Sequence, residues 1–187
     1  MTSPSTELTI GFLGNGKIGS AIATGFCSEH GWQPKHVYVS ARTKAKADAL
    51  VAAFPTRVSI GASNQEIVDK SDVIFIGLLP HVAKEALPQI RFPASKRVIS
   101  MMATVTYAEV LDLVHLPSEQ VTRCVPLPSC SKRSGPILAY PVNEVARSLL
   151  EQIGTPVMVA TEAEITTLVR FLSRNGEDRG TDLGSGL

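Results

Sequence analysis

Residues 8–19 read Leu8-Thr9-Ile10-Gly11-Phe12-Leu13-Gly14-Asn15-Gly16-Lys17-Ile18-Gly19. The apolar run over 8–13 stops at a glycine, as a short buried strand does. Gly14-Asn15-Gly16-Lys17-Ile18-Gly19 is then G-x-G-x-x-G, directly after that strand and opening a helix predicted over 17–29. Ile18, Ala21, Ile22, Gly25 and Phe26 fall along one side of this helix. A glycine triplet alone is only a turn. Between a strand and a helix it becomes a phosphate cradle: Gly14 permits the tight turn, Gly16 lets a pyrophosphate approach the backbone, and Gly19 lets the helix pack closely on the strand. The first N–H groups of the helix, with their partial positive charge, face the phosphates.

Beyond this unit, strands and helices alternate. Strands are predicted over 37–39, 58–60, 73–79, 98–100, 121–125, 137–140 and 157–160. Residues 73–79 are nearly all apolar, as a central parallel strand covered on both faces should be. Helices are predicted up to residue 53 after Thr43 as N-cap, then over 64–69 with Asn64 as N-cap, 82–87, 106–113, 143–153 and 162–174. Thr106 and Glu109 have the spacing of a capping box, and 127–135 is a Pro- and Ser-rich loop. This order predicts an α/β fold with a doubly wound, mostly parallel sheet, whose strand C-terminal ends share the ligand-binding edge. The domain plan is a disordered arm over 1–7, a dinucleotide-binding domain over 8–160, the start of a further helix over 161–175 and a disordered tail over 176–187.

The second strand ends in Ser40-Ala41-Arg42-Thr43, and no acidic residue occurs between Glu29 and Asp48. NAD-specific sites usually carry a carboxylate there. Arg42, with hydroxyls from Ser40 and Thr43, suits a 2′-phosphate instead, and Lys44 and Lys46 add positive charge. The alternative is that Arg42 and the lysines are a solvated helix start. The expected cofactor is therefore NADP(H), with NAD(H) as the alternative. Leu78-Leu79-Pro80-His81 and Met101-Met102-Ala103-Thr104 close two strands on the same edge. Asn64 is within reach of the adenine ribose in this reading. The candidate cofactor-binding set is Gly14, Asn15, Gly16, Lys17, Ile18, Gly19, Ser40, Arg42, Thr43, Asn64, Leu78, Leu79, Pro80, Met102 and Ala103. His81 reads as a helix-start or surface residue rather than a proton donor. No acid, base or nucleophile is singled out as catalytic, and no metal ligands are expected.

Composition narrows the partners. The 187 residues are 44% hydrophobic and 19% charged, with a net charge of +1, so no global field favours nucleic acid or membrane. Aromatics at 5% argue against a base-stacking surface. The three cysteines, Cys27, Cys124 and Cys130, fit no zinc spacing and read as buried, reduced thiols. No apolar run reaches the ~18 residues of a membrane span, and the polar N-terminus has no signal-peptide core, so a cytoplasmic location is expected.

These segments together resemble pyrroline-5-carboxylate reductase. The stretch Ile10 to Ile22 is similar to the family's, which has Ala-Gly-Asn-Met in the middle, and Ser40-Ala41-Arg42-Thr43 is similar to its Ser-Asn-Arg-Thr turn. Ser63-Asn64-Gln65-Glu66 matches a segment whose Asn contacts the cofactor. Leu79-Pro80-His81 corresponds to Lys-Pro-Gln, Ile99 to Thr106 follows Ile-Ser-Ile-Ala-Ala-Gly-Val-Thr, and Arg123-Cys124-Val125-Pro126 follows Arg-Val-Met-Pro. The resemblance covers about residues 8–165 and implies reduction of 1-pyrroline-5-carboxylate to proline by hydride transfer. Leu79 replaces the family lysine, Thr104 its glycine and Leu127 its asparagine, which leaves room for a related dehydrogenase or imine reductase with another substrate. After Leu172 the chain reads Ser173-Arg174-Asn175-Gly176-Glu177-Asp178, where the family has Ser-Gly-Ser-Gly-Pro-Ala and then a helical dimerisation domain. The expectation is that most of that domain is absent, so the chain is a fragment or a short form and a non-catalytic binding module is a further reading. Ile165, Leu168, Val169 and Leu172 form an apolar stripe, expected to make the last helix mobile or to drive homo-oligomerisation.

Overall fold

Eight strands are joined in one sheet: β1 (Thr9–Leu13), β2 (His36–Ser40), β3 (Val58–Gly61), β4 (Val73–Ile76), β5 (Arg97–Ser100), β6 (Val121–Val125), β7 (Pro136–Tyr140) and β8 (Thr155–Met158). The computed structural model describes the backbone of residues 4–177 and the side chains of residues 4–169. The strand order is β3-β2-β1-β4-β5-β6-β7-β8. The pairings from β3 across to β6 are all parallel, β7 runs antiparallel to β6, and β8 is parallel to β7. The sheet is thus doubly wound and mostly parallel.

Helices α1 (Lys17–Cys27), α2 (Lys44–Ala53), α3 (Asn64–Lys70), α4 (Pro80–Ala86), α5 (Tyr107–Val114), α6 (Glu144–Leu150) and α7 (Glu162–Glu177) connect or follow the strands, with short 3-10 helices at Leu87–Gln89, Ser118–Gln120 and Pro128–Lys132. The two-residue period of the strands divides the core into two layers. Ile10, Phe12, Val73 and Phe75 pack on one face with Ile22 and Phe26 of α1. Leu13, Ile74 and Ile76 pack on the other with Ile67, Ala83 and Val110 of α3, α4 and α5. Phe12 stacks on Phe75 at 5.2 Å between ring centroids, and Phe26 meets Phe75 edge-on at 5.7 Å.

Local signals account for most boundaries. Thr106 caps α5 through a complete capping box with Glu109, and Asn143 Oδ1 accepts from Ala146 N at 2.8 Å to cap α6. Ser63, not Asn64, is the cap of α3: its hydroxyl accepts from Glu66 N at 3.1 Å, and Asn64 is the first helical residue. Thr43 holds the cap position of α2 without a side-chain capping bond. β4 ends at Ile76, three residues short of the predicted strand, because Leu79 caps a helix that starts at Pro80. Helix α1 ends at Cys27 rather than continuing to 29. The Arg133 guanidinium takes up carbonyls beyond that end, donating to Trp32 O at 2.8 Å and Ser28 O at 3.3 Å.

The terminal segments differ in part from expectation. Residues 4–7 form a turn in which Leu8 N donates to Ser5 O at 3.3 Å and Lys35 pairs with Glu7 at 2.9 Å. Gly176 and Glu177, expected in the tail, continue α7, and the rest of that predicted tail lies outside the described residues. Ile165 of the apolar stripe is fully buried while Leu168 is exposed, and the Leu172 side chain lies outside the described residues. All three cysteines are free and buried. Among the described residues, no helix is long and apolar enough to cross a membrane.

Candidate functional site

The strand order reverses between β1 and β4, and in open α/β sheets the crevice at the carboxyl ends of such a pair is where ligands bind. The three glycines meet three different demands there. Gly14 has φ +95°, and a Cβ on it would collide with the Gly77 carbonyl at the end of β4. A Cβ on Gly19 would stand 2.7 Å from Gly14 O, so the helix could not approach its own strand end. Around Gly16 nothing lies within 4 Å of where a Cβ would be. That open space is bounded by the start of α1, whose Lys17, Ile18 and Gly19 N–H groups have no carbonyl one turn earlier in the helix. The first turn of α1 carries no acidic residue and its cap no side-chain bond, so its donors and positive end remain available to an anion.

Two polar side chains brace this turn from within. Asn15 is buried, and its Oδ1 accepts from Ser20 Oγ at 2.9 Å while its Nδ2 has no partner among the described residues. Ser40 is also buried, and its hydroxyl accepts from Gly14 N at 3.1 Å. Ser40 therefore ties β2 to the glycine turn, and its own O–H stays available as a donor. Neither the burial of Asn15 nor the reach of Ser40 back to Gly14 carries a local sequence signal.

The loop after β2 presents Arg42 to solvent, without a hydrogen bond or ion pair among the described residues. Lys44, in contrast, is engaged by Asp48 at 2.7 Å, so it adds less free charge than its position suggested. Arg42 lines a cavity of about 470 Å³ together with Ser63, Asn64, Gln65, Val82 and Glu85. This brings Arg42 and Asn64 to one hollow. A second cavity of about 380 Å³, lined by Cys27, Phe54 and Arg57, lies at the opposite end of α1. Burial pushes the Cys27 thiol up to about 11, which makes it an inert wall residue.

The other half of the crevice is bordered by the ends of β4 and β5. Leu78 is half-buried, and Leu79 is an exposed apolar side chain, 51% accessible, at the cap of α4. His81 is exposed on the first turn of α4. Met101 N donates to Ile76 O at 2.8 Å, and the Met101 Cε packs over Gly77. Met102 sits in the apolar layer with Leu13 and Val110. Gly77 was not among the residues expected at this edge. The sign available was a glycine interrupting an otherwise apolar strand. Ala103 is half-buried in the turn after β5. Among the described residues, no group of three or more His, Cys, Asp or Glu side chains could hold a metal ion.

A dinucleotide-binding α/β domain with this glycine turn defines the class. The chain belongs to the family described as NADP oxidoreductase coenzyme F420-dependent, whose model matches residues 9–104. Human pyrroline-5-carboxylate reductase 2 is 27% identical over 164 residues, which is 84% of this chain and 51% of the relative. These matches support the expected assignment to the pyrroline-5-carboxylate reductases. The chain spans about half the length of the curated relatives it matches. Three solved structures share the fold. A Plasmodium falciparum pyrroline carboxylate reductase with NADP bound has a TM-score of 0.68 at 18% identity, covering 95% of this chain and 72% of that one. An Aspergillus terreus reductive aminase in complex with NADPH and ethyl-5-oxohexanoate has a TM-score of 0.67 at 19% identity, covering 94% and 64%. Mycobacterium tuberculosis 3-hydroxyisobutyrate dehydrogenase with L-serine has a TM-score of 0.71 at 17% identity, covering 95% and 67%.

Proposed function

We propose that this chain is the NADP(H)-binding part of an oxidoreductase of the pyrroline-5-carboxylate reductase type, acting on 1-pyrroline-5-carboxylate. The observation that carries the reading is the empty space over Gly16, framed by the Gly14–Gly77 contact and the uncapped start of α1. It has the form of a pyrophosphate cradle, since any side chain at Gly16 would fill it. Gly14, Gly16 and Gly19, with the N–H groups of Lys17 and Ile18, would hold the pyrophosphate. Arg42 and Thr43 would take the 2′-phosphate, Asn64 the adenosine side, and Leu78, Leu79, Pro80 and Ala103 the nicotinamide side. The unpaired Arg42 and the lack of a carboxylate at the end of β2 support NADP(H) over NAD(H). The NADP and NADPH bound in two of the similar structures support a nicotinamide dinucleotide here.

When bound, the nicotinamide supplies the hydride, which in the proposed reaction goes to the carbon of a C=N bond. What this chain's own residues contribute is orientation and exclusion of water along the crevice. Leu79 favours a second reading of the substrate. It offers the crevice an apolar face where pyrroline-5-carboxylate reductases have a lysine, which leaves room for a different imine or a 3-hydroxy acid. A third reading is cofactor binding without turnover. Loss of reduced-nicotinamide absorbance should be followed with NADPH and 1-pyrroline-5-carboxylate. In parallel, NADP⁺ reduction should be followed with 3-hydroxyisobutyrate. Turnover of the pyrroline alone supports the first reading, turnover of the hydroxy acid alone replaces it with the second, and binding without turnover leaves the third.

A further inference from the structure

Arg123, in the middle of β6, is 3% exposed, yet it carries a charge. One guanidinium nitrogen, Nη1, donates to Glu162 Oε1 at 2.9 Å, and the other, Nη2, donates to the Ala103 carbonyl. The same Glu162 oxygen accepts from Tyr107 N at 2.6 Å, the first N–H of α5. One ion pair between a buried arginine and a half-buried glutamate thus ties together β6, the turn after β5, the start of α5 and the first residue of α7. Burying such a pair is expensive, and an apolar pair of similar volume is often as stable or more so. Stability alone is therefore a weak reason for a guanidinium in this place.

The Ala103 carbonyl belongs to the turn on the crevice edge, next to Met101 and Gly77. In a trans peptide the C=O and N–H point in opposite directions. With the Ala103 oxygen turned towards Arg123, the Thr104 N–H points away from the guanidinium, and it has no hydrogen-bond partner among the described residues. Thr104 itself is exposed. We propose that Arg123 and Glu162 are positioning residues for the nicotinamide half of the dinucleotide. They fix the Ala103–Thr104 peptide so that a backbone donor faces the crevice. This inference rests on the cofactor reading above. It gives Arg123 and Glu162 a task reaching the ligand through the backbone of another loop.

The test compares equilibrium binding of NADPH with that of 2′,5′-ADP, which has the adenine and 2′-phosphate half alone. It uses the wild-type chain, Arg123→Met and Glu162→Ala, with the melting temperature of each. Glu162→Ala is the safeguard should Arg123→Met fail to fold, because it removes the oxygen that holds both Arg123 and Tyr107 N while leaving the guanidinium in place. The expected result is NADPH affinity weakened on the order of tenfold in both variants, from loss of an oriented donor, with 2′,5′-ADP affinity unchanged. Equal weakening of both ligands would mean a merely structural pair and overturn the inference, as would unchanged NADPH binding. If the wild type binds neither ligand, the cofactor reading fails and the inference goes with it.

Discussion

Gly14 and Gly77 face each other across the seam between β1 and β4, so closely that a Cβ on the first would strike the carbonyl of the second. Gly77 N donates to Leu13 O at 2.8 Å, which locks the two strand ends at this distance. Gly16, two residues on, faces open space. The two glycines should therefore respond differently to the same change. Gly14→Ala costs roughly 1–2 kcal/mol for its left-handed backbone, plus the collision, and should lower the melting temperature. Gly16→Ala should melt close to the wild type and lose dinucleotide affinity. Thermal melts with and without NADPH check both.

Arg42 stands free beside the cavity that also contains Asn64. Arg42→Ala should weaken NADPH binding by about 1.5–3 kcal/mol, roughly tenfold to a hundredfold, the range for a charge-assisted hydrogen bond. NADH, which has no 2′-phosphate, should bind the variant as it binds the wild type. Titration of each ligand into each protein by calorimetry gives the four constants needed.

The capping box of α5 makes a stability prediction away from the site. Thr106→Ala should cost about 1 kcal/mol, seen as a lower midpoint in urea with an unchanged slope.

Glu109 has its carboxyl held below the usual carboxylate range, first by the Thr106 backbone N–H and then by the Thr106 hydroxyl. Glu66 is held low by Lys70 and by the Ala62 N–H. A lowered folded-state pKa gives a contribution that is complete above the unfolded value of about 4.3 and is lost as pH falls through the folded value. Glu109→Gln should therefore melt below the wild type at neutral pH, and the gap should close as the pH falls past the unfolded value and through the lowered folded one. Melting curves across this window check the sign.

The cysteines should be silent in the folded chain. Burial raises all three thiols, so thiolate is scarce at mildly alkaline pH. A chromogenic disulfide reagent should find no fast-reacting thiol before denaturant is added and three afterwards.

The elements legible in the sequence were those with local causes. The box of Thr106 and Glu109 lies within one helical turn, and β4 declares itself because Val73 to Ile76 are buried on both faces. The glycine turn was legible because its strand and helix adjoin it. Boundaries failed where apolar residues continued past the end of an element, as Leu78 and Leu79 do beyond β4. Long-range contacts had no local sign. Ser40 reaches back 26 residues to Gly14 N, and Arg123 reaches 39 residues forward to Glu162. Both look like ordinary polar strand residues until the sheet is assembled. The reversal of β7 against β6 follows from the connection over 126–135, a predicted loop that contains only a short 3-10 turn at Pro128–Lys132 and no crossover α-helix.

The hollow over Gly16 is the proposed site of an NADP-type dinucleotide. The most direct measurement is calorimetric titration of NADPH into the wild-type chain and into Gly16→Val. Saturable one-to-one binding to the first and none to the second is expected, with both proteins folded by circular dichroism. Equal binding to the two would place the dinucleotide elsewhere, and no binding to the wild type would contradict the claim outright.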